Sequence, residues 1–102
     1  MDIDVNMKGS ESKVTIIGNI DTEGGAILSS KLEALRNNAS IKNVIFDLKE
    51  VNSTTSAGIG KIMNFYKYID SIGGKMEIKG ISDPLYKQFV EIHLDRIFPV
   101  SK

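Results

Sequence analysis

The sequence predicts a single small α/β domain with a mixed, mostly parallel sheet, an N-terminal β-hairpin and three main helices. Three observations carry this. Near the N-terminus Ile3, Val5 and Met7 alternate with Asp4, Asn6 and Lys8, the period of two expected of a strand with one wet face. Further along, apolar strand patterns at Asn43–Leu48 and Lys75–Lys79 are each preceded by a stretch whose apolar residues recur at helical spacing. Strands separated by helices run mostly parallel, joined by right-handed crossovers. With 102 residues, 41% of them hydrophobic, the chain suits one core and one domain spanning 1–102.

Each element has its own signals. Gly9-Ser10-Glu11-Ser12 supplies a polar turn, and Lys13–Ile17 reads as a second, more buried strand that closes the hairpin. A first helix follows, with Ala26, Ile27, Leu28, Leu32 and Leu35 on its apolar side and Asp21 or Thr22 as its cap. Gly24-Gly25 would cost roughly 1 kcal/mol per glycine inside a helix, which points to a helix start at Gly25 or later. Asn37-Asn38 ends it. After the central strand a long helix carries Ile59, Ile62, Met63, Tyr66 and Ile69 as its core stripe, with Phe65, Tyr68 and Ile72 on a flank suited to another helix. Gly73-Gly74 terminates it. A last helix opens at Ser82-Asp83-Pro84, a capping residue followed by proline near the first helical position, and buries Leu85, Phe89 and Ile92. Pro99 limits Ile97–Val100 to a short edge strand or tail.

Composition excludes several classes of function. Thirteen basic and thirteen acidic side chains cancel, so nothing favours nucleic acid or an anionic membrane surface. The absence of cysteine removes disulfides and thiolate sites, and with one histidine the usual zinc sets cannot be assembled. The acidic N-terminus lacks the layout of a signal peptide, and no apolar run approaches the ~20 residues of a membrane span. The expected location is the cytoplasm, with no cofactor. Gly58-Ile59-Gly60 starts a dinucleotide fingerprint that Met63 breaks, and Thr55 stands where a phosphate loop needs glycine.

What remains is the strand-to-helix turn Asn52–Gly60, dense in hydroxyls and glycines. Ser56 is the best-placed candidate to cap the following helix, since a side-chain oxygen there accepts an unpaired backbone N–H. It also suits phosphorylation, because a phosphate at a helix N-terminus meets free N–H groups and the positive end of the dipole. A hydrolase reading places Ser56, Asp83 and His93 in nucleophile-elbow order, but Thr54 replaces the elbow's first glycine and the chain is short for such enzymes.

The order of apolar strand, Asp47-Leu48, Val51 and Thr55-Ser56-Ala57-Gly58-Ile59-Gly60 resembles the signature of STAS domains, the family of bacterial anti-sigma-factor antagonists. Gly18-Asn19-Ile20-Asp21, Gly74-Lys75 and His93–Phe98 resemble other family segments, so the likeness covers nearly the whole chain. Where the family has an acidic residue before its serine, this chain has Thr55, which offers a hydrogen bond and a second hydroxyl but no charge. The resemblance implies a non-enzymatic binding module. Its partner would be an anti-sigma factor with serine kinase activity, its switch phosphorylation at Ser56 (or at the neighbouring Thr55 or Thr54), and its reset a phosphoserine phosphatase. The implied partner surface comprises Asp21, Thr54, Thr55, Ser56, Ala57, Gly58, Gly60 and Lys61. A STAS scaffold that is never phosphorylated, serving a transport or other regulatory assembly, is the alternative.

Overall fold

The computed structural model describes all 102 residues. Strands β1 (Asp2–Lys8) and β2 (Glu11–Ile17) form the expected hairpin, closed by Gly9-Ser10. Gly9 adopts φ 62° while Ser10 does not, as in a type II′ turn, whose twist matches that of its strands. Helix α1 (Thr22–Arg36), β3 (Asn43–Glu50), α2 (Ser56–Ser71), β4 (Lys75–Ile81), α3 (Asp83–Glu91), a single 3₁₀ turn (Leu94–Arg96) and β5 (Val100–Ser101) follow. The strands lie in chain order, with only β1–β2 antiparallel. The mixed, mostly parallel sheet is therefore as predicted.

Chain order has a consequence for the layers. Each right-handed crossover moves one strand further in the same direction, which places all three main helices on the same face of the sheet. Burial agrees: Val14, Ile16, Val44, Phe46, Leu48, Met76 and Ile78 point to the covered face, whereas Lys13, Lys49, Lys75 and Lys79 project from the other into water. Most parallel sheets are covered twice and read as unbroken apolar runs. Here one face is wet, so β2 and most of β4 alternate, while in central β3 the run Phe46–Leu48 is buried throughout.

Four details differ from the sequence expectation. Helix α1 begins at Thr22, not at Gly25 or later, because Asp21 caps it and both glycines are buried against neighbours. A Cβ on Gly24 would collide with Met1 Sδ, and one on Gly25 would stand 3.2 Å from Lys61 Cε; close packing offsets the helix penalty. Ala26 and Ile27 lie on the solvent side, leaving Leu28, Leu32 and Leu35 as the core of α1. On α2 the buried line is Gly58, Ile62, Phe65 and Ile69, with Ile59, Met63 and Tyr66 half-buried. Phe65 meets the sheet itself, edge-to-face on Phe46 at 6.2 Å, because α2 is flanked by α1 on one side and by Phe98, 5.5 Å from Tyr66, on the other. Ile92, expected in the core, caps the end of α3 and is exposed.

The helix ends follow local chemistry. Gly73 at φ 75° closes α2 in a Schellman motif, with Gly74 N–H donating to Ile69 C=O and Gly73 N–H to Asp70 C=O. Ser82 caps α3 by accepting from Leu85 N–H. No helix is long and apolar enough to cross a membrane.

Ile62 is fully buried in the 21-residue core, so Ile62→Ala should lower unfolding stability by about 2 to 5 kcal/mol in chemical denaturation. Ser12→Ala should do the opposite: its hydroxyl is buried without a hydrogen-bond partner, and removing it should raise the midpoint.

Candidate functional site

The Ser56 turn is held in place by the loop before α1. After β2 and β3 stop pairing as strands, the two chains meet again in a parallel bridge between Ile20 and Thr54. Ile20 N–H donates to Ser53 C=O at 3.1 Å, and Thr55 N–H donates to Ile20 C=O at 3.0 Å. Asn19 Oδ1 adds two acceptor contacts, from Asn52 N–H and Ser53 N–H, each at 3.2 Å. Helix α1 starts two residues after Ile20, and α2 two residues after Thr54. Their N-termini therefore lie side by side at the C-terminal end of the sheet.

Each helix has its own cap. Asp21 accepts from Gly24 N–H at 2.7 Å, and Thr55 accepts from Gly58 N–H at 3.1 Å. The second of these corrects the sequence reading, which gave the cap to Ser56. Extended backbone dihedrals (φ −74°, ψ 162°) put Thr55 in the capping position, and Ser56 becomes the first helical residue. Its side chain is exposed and takes part in no hydrogen bond within the chain. No acidic residue stands in the first turn of α2, so the positive end of its dipole is uncompensated there.

The remaining predicted residues divide by contact. Thr54 is buried, and its hydroxyl donates to Thr55 C=O at 3.2 Å. Gly58 is buried over it; a Cβ there would collide with Thr54 Oγ1 and come within 2.7 Å of Ile20 Cγ2. Ala57 and Gly60 are exposed, and a Cβ on Gly60 would meet nothing within 4 Å. Lys61 is half-buried, its stem lying across Gly25 of α1, and it lines a cleft of about 180 Å³ together with Ser29, Glu33, Arg36 and Asn64. At the far end of the same helix pair, Tyr68 donates its hydroxyl to Arg36 C=O and takes the Arg36 guanidinium at 4.9 Å from its ring.

Two contributors escaped the sequence reading. Asn19 sat in a quoted motif without an assigned task. Gln88 gave no signal at all: from α3 its Nε2 donates to Thr54 C=O at 3.0 Å, bracing the turn from the side opposite α1. The hydrolase grouping is not brought together. Asp83 and His93 flank α3 at opposite ends of a nine-residue helix, about 13 Å long, and Asp83 pairs with Lys102 at 3.2 Å.

A family profile described as "STAS domain" matches residues 2–102, and the chain belongs to that family. Among curated proteins it is 28% identical to the anti-sigma-B factor antagonist of Bacillus subtilis, over 99% of this chain and 93% of that protein. It is 22% identical to the anti-sigma F factor antagonist of Paenibacillus polymyxa, over 85% and 74% respectively. Among solved structures, an anti-sigma-factor antagonist (STAS) domain protein from Planctomyces limnophilus superposes with a TM-score of 0.85 at 17% identity, covering 98% of this chain and 88% of that one. The phosphorylated form of the Bacillus cell fate determinant SpoIIAA gives 0.78 at 13% identity, with coverage of 99% and 92%. At these identities the superpositions establish the fold.

The division of labour between the two hydroxyls can be tested by stability alone. Thr55→Ala should cost about 1 kcal/mol through loss of the cap, whereas Ser56→Ala should leave the denaturation midpoint within about 0.5 kcal/mol of wild type.

Proposed function

We propose that the chain is an anti-sigma-factor antagonist, docking an anti-sigma factor of serine-kinase type through the Ser56 turn and released when that kinase phosphorylates Ser56. The observation that carries this is the freedom of Ser56. Thr55 does the capping, so the Ser56 hydroxyl is exposed, unbonded and dispensable for the fold. A kinase can reach it, and a phosphate placed on it would sit at the N-terminus of α2, whose own first turn carries no carboxylate. Modification would then leave the domain intact while setting about −1.5 to −2 charges into a neutral docking patch. Each ~1.4 kcal/mol lost at the contact is tenfold in affinity, so one group suffices as a switch.

The replacement of the family's acidic residue by Thr55 fits this mechanism. Aspartate and threonine both cap helices, and the position keeps its structural task while giving up a charge beside the acceptor. The docking face would run from Asp21 over Thr54–Gly60 to Lys61, since the Ile20–Thr54 bridge sets these loops edge to edge. Gly60 supports the same face. It sits exposed in a helix interior with open space around it, a costly choice that packing does not require. A bare backbone there lets a partner approach closely.

Incubation with the partner kinase and ATP should add one phosphoryl group by intact mass, and Ser56→Ala should abolish it while keeping partner binding. Ser56→Asp should fold normally and bind at least tenfold more weakly. Persisting incorporation in Ser56→Ala would move the acceptor to Thr54 or Thr55, and no incorporation into wild type would favour the scaffold role.

Gly60→Ala offers a sharper separation of binding from stability. It should raise stability by about 1 kcal/mol through helix propensity, yet weaken docking. Lys61→Glu should likewise weaken docking, measured by titration calorimetry, with the midpoint changed by less than about 0.5 kcal/mol. Unaltered affinity in both variants would place the partner on another face.

A further inference from the structure

We propose that two copies of this chain associate through the free edge of β1, pairing Asp2–Lys8 antiparallel with the same strand of the second copy so that their sheets become continuous. β1 ends the sheet, with β2 on one side and no strand on the other. Edge strands are normally blunted by proline, a bulge, brevity or charged side chains; β1 carries charges, Asp2, Asp4 and Lys8, but of both signs. This one runs for seven consecutive pairs with β2, without a bulge and without proline. The opposite edge, β5, is two residues long and follows Pro99.

The phase of the hairpin decides which groups are free. A two-residue loop makes its closing pair, Lys8 and Glu11, a hydrogen-bonded one. Alternation then turns the N–H and C=O of Asn6, Asp4 and Asp2 inward to β2, and those of Ile3, Val5 and Met7 out to the open edge. A second β1, placed antiparallel with Val5 opposite Val5, offers groups in the matching phase along its whole length.

That register also satisfies the side chains. On the helix-bearing side Ile3 faces Met7, which is 53% exposed in the single chain. On the wet side Asp2 faces Lys8 and Asp4 faces Asn6, each twice by the two-fold symmetry, and no like charges meet. Sliding by two residues one way sets Asp4 against Asp4. Sliding the other way leaves Asp2 and Ile3 beyond the overlap. The segment Asp-Ile-Asp-Val-Asn-Met-Lys is thus self-complementary in one register, the condition for an isologous contact. Because the two β1 strands oppose each other, so do the two sets of parallel strands. The Ser56 faces then lie at opposite ends of the joined sheet, both open. Edge pairing alone buries little surface, so the association is weak and concentration-dependent.

Sedimentation equilibrium of the full chain up to about 1 mM should show a monomer–dimer equilibrium. Lys8→Asp and Asp2→Lys, both at exposed positions, should each weaken it about tenfold by turning two attractive pairs repulsive. Mixing the two variants should restore association as a heterodimer, because each then meets opposite charge at both ends. In the dimer the amides of Ile3, Val5 and Met7 should gain protection from hydrogen exchange. A chain that stays monomeric throughout overturns the proposal. So does a dimer that neither variant weakens, or a mixture that recovers nothing. Protection of these amides only when another protein is added would assign the edge to that protein and would equally overturn self-association.

Discussion

The arrangement of the candidate site depends on one short backbone contact, the bridge that joins Ile20 to Ser53–Thr55 beyond the end of the β2–β3 ladder. Two loops leaving neighbouring parallel strands would ordinarily splay apart as their helices begin. Here their backbone groups pair once more, and Asn19 closes the gap below with two further acceptor contacts. Buried peptide groups left unpaired are costly, so the register of this bridge is strongly specified. Everything else at the site is measured from it: where Asp21 and Thr55 cap, how close the helix N-termini stand, and which hydroxyl is left facing water.

The glycines of the site illustrate three different demands. Gly58 is required by contact, since Thr54 and Ile20 occupy the space that a side chain would need. Gly24 and Gly25 let Met1 and the stem of Lys61 lie against the first turn of α1. Gly60 answers to none of these, and its bare surface is the part of the turn best explained by an approaching partner. A single residue type thus serves the bridge, the helix pairing and the proposed docking face. Only the surroundings tell them apart.

The one-sided sheet sets the limits of the molecule's surface. With all helices on one face, the other is a field of interspersed charges in which Lys49 lies near Asp47 and Lys79 near Glu77, both at 3.6 Å. The lysines of both pairs reach into water, so the pairs contribute little to stability, although Asp47 itself is buried and also accepts from Lys49 N–H; the mixed signs keep that face unattractive to a large charged partner. The two surfaces proposed for recognition, the loop end of the sheet and its open β1 edge, lie away from that face. These two surfaces do not overlap, so occupancy of one leaves the other accessible.

Most of the fold was legible because local signals agreed with one another. The alternating strands, the polar hairpin turn, Ser82-Asp83-Pro84 before α3 and Gly73-Gly74 after α2 each report a backbone state set by a few adjacent residues. The signature residues Thr55–Gly60 fall at the β3-to-α2 turn for the same reason. What the sequence could not decide was which of two adjacent hydroxyls caps α2, since serine and threonine serve equally well and the choice turns on where Ile20 pins the chain. Nor could it decide that Gly24 lies inside α1, that Phe65 reaches the sheet, or that Ile27 and Ile92 stay wet. Those outcomes depend on neighbours distant in sequence, Met1 and Lys61 against the glycines, Phe46 beneath Phe65. Gln88 is the extreme case: its contact with Thr54 spans 34 residues, and only tertiary packing brings α3 against the turn.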